Sequence, residues 1–153
     1  MRLTQHTDYA LRVLIYLGHK QDSLSTIQEI AEAYQISRNH LMKVVRQLVS
    51  IGYVESVRGV GGGIRLCQPP EHINLAQVIQ NMEPDAGLVE CARPDNACVI
   101  TSSCVLPGIL GRALSAFWSE LANHTLADLL PESRRDTFRT QLGIDAIDVM
   151  NIR

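Results

Sequence analysis

At 153 residues, with 46% hydrophobic and 20% charged residues and a net charge of −2 at neutral pH, the chain has the balance of a folded domain whose core is mostly aliphatic, since aromatics make up only 5%. No stretch approaches the roughly eighteen apolar positions of a membrane span, and the start lacks the basic cap and apolar run of a secretory leader, so a cytoplasmic protein without membrane contact is expected. The near-neutral total hides two unlike parts: residues 1–66 carry eight Lys or Arg against five Asp or Glu, and the remainder six against eleven, which suits a polyanionic partner on the N-terminal part only.

From residue 7 to residue 18, Tyr9, Ala10, Val13, Leu14 and Leu17 recur at three- and four-residue steps. That is the period of an amphipathic helix, with Thr4 or Thr7 as its cap and Gly18 near its end. Asp8 and Arg12 lie one turn apart on the polar face; as a surface ion pair they contribute roughly 0.3–0.5 kcal/mol. Further on, Ser25 with Gln28 and Thr26 with Glu29 both have the spacing of a capping box, so a short helix begins there. Tyr34-Gln35-Ile36 makes a tight connection, and Ser37 offers a hydroxyl cap for a second helix over residues 38–50. Its Leu41, Val44, Val45 and Leu48 form a buried stripe, and Arg38, Asn39, His40, Lys43, Arg46 and Gln47 occupy the rest of its surface.

Two short helices joined in this way fit a helix-turn-helix, whose second helix enters the major groove by its N-terminal end. Arg38 can fork onto a guanine edge, Asn39 can pair with adenine, and Ser37 or Lys43 can hold phosphates; a merely solvated polar face is the alternative. The following segment favours the first reading. Val54, Val57, Ile64 and Leu66 suggest two short strands, and Gly59 with Gly61, Gly62 and Gly63 supplies the turn of a wing. Glycines without side chains let that turn approach a phosphate ridge or narrow minor groove, with Arg58 following. A nucleotide-binding phosphate loop is excluded, because no Lys-Ser/Thr pair follows the glycines and no helix begins at Ile64.

Pro69-Pro70 marks the end of the winged unit. A helix over 75–82 places Leu75, Val78, Ile79 and Met82 on one side and stops at Glu83-Pro84. After the segment of cysteines, Leu106, Leu110, Ala113, Phe117 and Leu121 repeat at helical spacing, with Ile109, Leu114 and Trp118 widening the stripe. Little chain remains to cover so wide a face, beyond a short helix within 125–130, so the long helix is expected to be a dimer contact. The predicted fold is therefore mainly α with a small β-wing. It comprises a winged helix-turn-helix domain (1–68), a connecting helix and cysteine loop (69–104), a long dimerisation helix with a short following helix (105–130) and a polar, fraying tail (131–153).

Cys91, Cys98 and Cys104 stand at spacings of seven and six positions around Pro94, Asp95 and Asn96, where no regular element need hold them apart. Thiolates bind soft metal centres, so the loop has the donors of a metal or cluster cage with one ligand missing. Small core cysteines, a disulfide with a spare thiol, and a thiol switch are the alternatives; a reducing compartment disfavours the disulfide. A structural zinc site usually has four closed ligands, often as Cys-x2-Cys pairs, and that spacing is absent. His6, His19, His40, His72 and His124 are too scattered for a histidine site and read mostly as surface residues. With no nucleophilic triad, paired-carboxylate motif, or flavin or nicotinamide motif, no enzymatic turnover is expected, which also counts against an electron-transfer enzyme.

The first helix beginning Leu3-Thr-Gln-His-Thr-Asp-Tyr-Ala-Leu-Arg, the helix Ile36-Ser-Arg-Asn-His-Leu-Met-Lys-Val-Val, the wing Val57-Arg-Gly-Val-Gly-Gly-Gly-Ile-Arg-Leu and the three-cysteine loop together resemble the winged-helix iron-sulfur regulators, among them the nitric-oxide-sensing NsrR repressors and the IscR group. The resemblance runs from about Leu3 to Leu130. It implies a homodimer that binds a palindromic operator while an iron-sulfur cluster is intact and releases it when nitric oxide reaches the cluster. It also implies that Cys91, Cys98 and Cys104 are the cluster ligands, that residues 37–46 and 58–63 read DNA, and that Cys67 lies outside the ligand set, as a small buried residue. The IscR group has a histidine three positions after its last cysteine, where this chain has Pro107. That departure favours a 4Fe-4S over a 2Fe-2S cluster and leaves the fourth ligand to be supplied elsewhere. Asp8 of the partner subunit is the first candidate, ahead of His6 and Cys67, because a hard carboxylate is a weak iron ligand that yields readily.

Overall fold

Hydroxyl caps fix where the chain first becomes helical. In the computed structural model, which describes residues 2–83, 89–93 and 95–144, Thr4 rather than Thr7 opens helix α1 (Gln5–His19). Its Oγ1 accepts the Thr7 N–H at 3.3 Å, so the helix starts two residues ahead of the predicted position. The predicted stop at Pro84, the turn at Pro94 and residues 145–153 of the predicted tail lie outside the described residues.

Of the two capping boxes the spacing allows, Thr26 with Glu29 opens α2 (Ile27–Tyr34): Glu29 N–H donates to Thr26 Oγ1, and Thr26 N–H donates to Glu29 Oε2. Gln35 ends α2 in the left-handed region at φ 53°, a conformation that costs a non-glycine residue about 1 kcal/mol, while its N–H still reaches the carbonyls of Ala31 and Glu32. Helix α3 (Arg38–Ser50) follows. Ser37 supplies no side-chain cap here, contrary to the prediction. Burial of Ile36 and of Leu41, Val44, Val45 and Leu48 against α1 and α2 secures the helix, so tertiary packing replaces the missing cap.

Strands β1 (Val54–Val57) and β2 (Gly63–Leu66) pair antiparallel, with Val54 opposite Leu66 and Val57 opposite Gly63. The inner strand has a second neighbour, because Ser25 N–H donates to Ile64 O at 3.0 Å and Ile64 N–H donates to Ser25 O at 2.8 Å. The base of the wing is thereby tied to the residue that leads into α2.

Pro70 is buried and begins a 3-10 turn, Pro70–His72, after which Ile73 enters the same core as α1. Asn74 caps α4 (Leu75–Met82), the helix expected at that position, and α4 seats Val78 and Met82 in that core. Helix α5 (Leu106–Ala122) packs along α4 and has no buried residue. The chain then returns: Leu75 N–H donates to His124 O, Leu126 N–H donates to Ile73 O, and Leu126 is fully buried.

The stretch after Pro131 was predicted to fray, but residues 135–144 pack. Helix α6 (Arg135–Gln141) stacks Phe138 on His19 with ring centroids 4.8 Å apart, Leu142 and Ile144 are buried, and Arg139 donates to His19 O. Sparse apolar residues among charged ones hid this contact. His19 is consequently one histidine that does not lie at the surface, being 3% exposed. The observed architecture is the predicted one, mainly α with a small two-stranded wing. Among the described residues no helix is long and apolar enough to cross a membrane.

Candidate nucleic-acid interface and cysteine loop

Helix α3 divides its residues cleanly. Leu41, Val44, Val45 and Leu48 face the core, whereas Ser37, Arg38, Asn39, His40, Lys43 and Arg46 are exposed. No acidic residue occupies its first turn, so the positive end of the helix dipole and Arg38 are presented together. His40 is only partly free, its ring lying 6.5 Å from that of Tyr9. Apart from Arg2, ahead of α1, the cations of the winged unit fall into two groups. Arg12 pairs with Asp8, Lys20 with Glu29 and Arg65 with Glu55. Arg38, Lys43, Arg46 and Arg58 have no ion pair among the described residues and are exposed. Unpaired cations gathered on α3 and the wing form the electrostatic footprint that a phosphate backbone requires.

The wing glycines have internal duties as well. Gly61 takes a positive φ of 75° at an open, exposed position, whereas a Cβ on Gly62 would lie 2.4 Å from the carbonyl oxygen of Val57. Gly62 is therefore required to close the turn, whatever the turn then touches. At the tip, Val60 is fully exposed, a residue the sequence reading passed over.

The three loop thiols are free and half-buried. Local hydrogen bonds shape the loop: Cys98 N–H donates to Asn96 Oδ1 at 3.0 Å, Thr101 Oγ1 donates to Cys98 O at 2.8 Å, and Ala97 N–H donates to Glu90 Oε1 at 3.1 Å. Around it Val99, Ile100, Val105 and Leu106 are exposed. In kind, three unbonded soft donors on a short turn-rich loop fit an iron-sulfur cluster. In arrangement, no three His, Cys, Asp or Glu side chains form a metal-holding group among the described residues.

Asp8 is half-exposed, and Arg12 holds both its oxygens, Oδ2 at 2.8 Å from NH2 and Oδ1 at 3.3 Å from Nε. Arg12 in turn lies 5.9 Å from each of the Tyr9 and Tyr34 ring centres, which fixes the carboxylate's direction. His6 is committed to Gln47, 2.9 Å away. Cys67 is exposed rather than buried, because β2 carries it past the edge of the core. Partial desolvation and the Glu55 carboxylate push its thiol up, against the pull of Arg65, so it is a poor thiolate donor.

Residues 3–132 match the Rrf2 family, described as an iron-dependent transcriptional regulator. The chain is 49% identical over 132 residues to the HTH-type transcriptional regulator NsrR of Bacillus subtilis, covering 85% of this chain and 90% of that protein. With the regulator of the same name from Oceanobacillus iheyensis it is 46% identical over 149 residues, covering 96% of this chain and all of that one. Among solved structures, IscR of T. potens superposes with a TM-score of 0.68 at 24% identity over 85% of this chain and 86% of that one. CymR, the global cysteine regulator of B. subtilis, superposes with a TM-score of 0.67 at 24% identity, over 84% of this chain and 95% of that one. A winged helix-turn-helix with its cations bared on the reading face, and relatives named as transcriptional regulators rather than enzymes, lead to one assignment: the chain belongs to the Rrf2 family of DNA-binding transcriptional regulators.

Proposed function

We propose that the protein is a cytoplasmic, homodimeric repressor that holds a palindromic operator while an iron-sulfur cluster is bound and lets go when nitric oxide reacts with it. The observation that carries this reading is the position of the three free thiols. They lie on the segment between α4, which is seated in the core of the winged unit, and α5, which packs along α4 but has no fully buried residue among the described residues. A ligand held there touches the link between the DNA-reading part and the dimer contact.

In this reading Cys91, Cys98 and Cys104 hold the cluster, a 4Fe-4S rather than a 2Fe-2S centre, and the loop gathers its thiols on binding. Asp8 of the partner subunit completes the ligand set, aimed by Arg12. When bound, the cluster would supply iron that can react with a small diatomic molecule, with Asp8 the weakest of the residues holding it. Once Asp8 is disengaged, each winged unit is freed from the cysteine loop of the other subunit, and the spacing of the two α3 helices changes. Both half-sites then weaken together, because a dimer reads half-sites about one helical turn apart. On the operator, Arg38 and Asn39 read base edges. Ser37, His40, Lys43 and Arg46 steady the backbone, with the Ser37 hydroxyl left open because it caps nothing. Arg58, Gly61 and Gly62 bring the wing to the adjacent groove.

Anaerobic purification with iron and sulfide counts, an absorption spectrum before and after nitric oxide, and titration with a palindromic duplex test the reading. A brown protein that binds the duplex tightly, with a steep salt dependence, and loses it on nitric oxide is expected. Colourless protein containing zinc, or an iron protein indifferent to DNA, sinks it. Asp8→Ala should alter the cluster's spectrum and its nitric oxide response; an unchanged protein removes the bridge between subunits.

A further inference from the structure

The last residues of α4 before the chain enters the cysteine segment touch three parts of the DNA-reading unit at once. Gln47, on the distal part of α3, donates its Nε2–H to Asn81 O at 3.0 Å, so a side chain of the recognition helix caps a terminal carbonyl of α4. The same amide's Oε1 lies 2.9 Å from His6 Nε2 and has no proton, so His6 is the donor and Gln47 ties α1 to α4. Asn81 Nδ2–H donates to the hydroxyl of Tyr53, which is 6% exposed and stands directly before β1. Glu83 Oε1 accepts the Thr4 N–H at 2.7 Å and the Thr4 hydroxyl at 3.2 Å, holding the residue that caps α1. These groups line one crevice, formed by Thr4, His6, Gln47, Asn81, Met82 and Glu83.

We propose that Gln47 is a positioning residue, with Glu83, at the end of α4, as its counterpart toward α1, through which the state of the cysteine loop sets the orientation of α3. The inference rests on the loop sensing a ligand, as proposed above. Helix α3 runs without a break from Arg38 to Ser50. Arg38 and Gln47 are about 14 Å apart along it at about 1.5 Å per residue, so a displacement of its distal part tilts its reading end. Asn81 and Glu83 are the last described residues before the cysteine segment, and Gln47 grips that point from α3, so movement of the segment would reach α3 there. Gln47 is half-buried one turn beyond Lys43, toward the distal end of α3, and both its amide atoms are engaged inside the chain, by His6 and Asn81, so its effect on DNA is indirect.

The test compares duplex affinity of the cluster-loaded protein with that of the protein stripped of iron, using a duplex selected from a random-sequence pool by the loaded wild type. The wild-type ratio is expected to be about tenfold or more, the usual size of a coupling between sites. In Gln47→Ala it should fall to within about threefold of unity, with iron and sulfide content unchanged. Gln47→Glu keeps the acceptor for His6 but loses the donor to Asn81 O, so it should fall likewise, and it carries the test if the alanine variant does not fold. Lys43→Ala should weaken loaded and stripped protein alike and preserve the ratio. A wild-type ratio in the Gln47 variants, or an equal loss in both states like that of Lys43→Ala, overturns the inference. A wild-type ratio of one, or no duplex selected at all, overturns the proposed function itself and this coupling with it.

Discussion

In the winged unit, most groups that folding removes from water find partners inside the chain, His19 Nε2 and Ser25 Oγ excepted among the described residues: Lys20 meets Glu29, the Thr26 and Glu29 caps meet each other, and Leu14, Leu17, Ile30, Leu41 and Leu48 are 0–1% exposed. From the cysteine loop through α5 the pattern is reversed. Three thiols have no bonded partner, and a helix of seventeen residues buries none of them, with Ile109 50% exposed. The first region is closed by contacts within the chain, those from Val78, Leu126, Leu142 and Ile144 included. The second leaves soft donors and apolar area for something outside the chain.

The largest blow to the closed region is Lys20→Ala. The Lys20 side chain is 2% exposed and that of Glu29 12%. Burial pushes the Glu29 carboxyl up, but hydrogen bonds from Lys20 and Thr26 hold it below its usual range. Truncating the lysine leaves that carboxylate with the Thr26 contacts alone, and thermal or denaturant unfolding should show a loss of about 3 kcal/mol. In the open region Ile109→Glu should behave oppositely: little change in helix content, but a weakening of self-association by about thirtyfold or more in sedimentation equilibrium, the scale of a hot-spot loss. A variant as dimeric as the wild type breaks the comparison.

Two glycines sharpen it further. Gly62→Ala must displace the Val57 carbonyl and should cost about 1–3 kcal/mol, whereas a Cβ on Gly111 meets nothing within 4 Å inside the chain. Gly111→Ala should therefore stabilise α5 by about 0.5–1 kcal/mol in dilute, dissociated protein. If it impairs self-association at higher concentration, a partner helix lies against that position.

The smallest effect concerns pH. Burial, and then Arg135 and Arg139, lower the pKa of His19 against a weaker opposing pull from Glu132. The unfolded chain takes up that proton near 6.5 and the folded one resists it, so this contribution is complete above 6.5 and declines as pH falls below it. Melting temperature should drop through that window in the wild type and less steeply in His19→Gln.

What could be read in advance was local. Capping boxes, three- and four-residue apolar steps and a glycine turn report on neighbours in sequence, and α2, α3, α4 and the wing follow them. What escaped was contact at a distance. Gln47 reads as one more polar position on α3, although its partners lie 41 and 34 residues away. Phe138, Leu142 and Ile144 are too few to make a stripe, and only the groove left by α1 gives them a place. Cys67, expected to be a small buried residue because it falls outside the ligand set, is exposed, since where a strand ends relative to the core depends on the whole packing. Ser37 has the right chemistry for a cap and the wrong local geometry for one.

The Ser25–Ile64 rung has a consequence for how operators are graded. With β2 stitched to the lead-in of α2, and α2 joined to α3 by a three-residue turn, α3 and the wing are tied together, so in the proposed DNA-reading role they should act as one tool rather than a hand with independent fingers. A half-site that suits the helix but misplaces the neighbouring groove cannot be partly gripped. Promoters served by this protein should thus sort by the fit of a whole half-site, falling off sharply with its length and pitch, instead of adding up letter by letter.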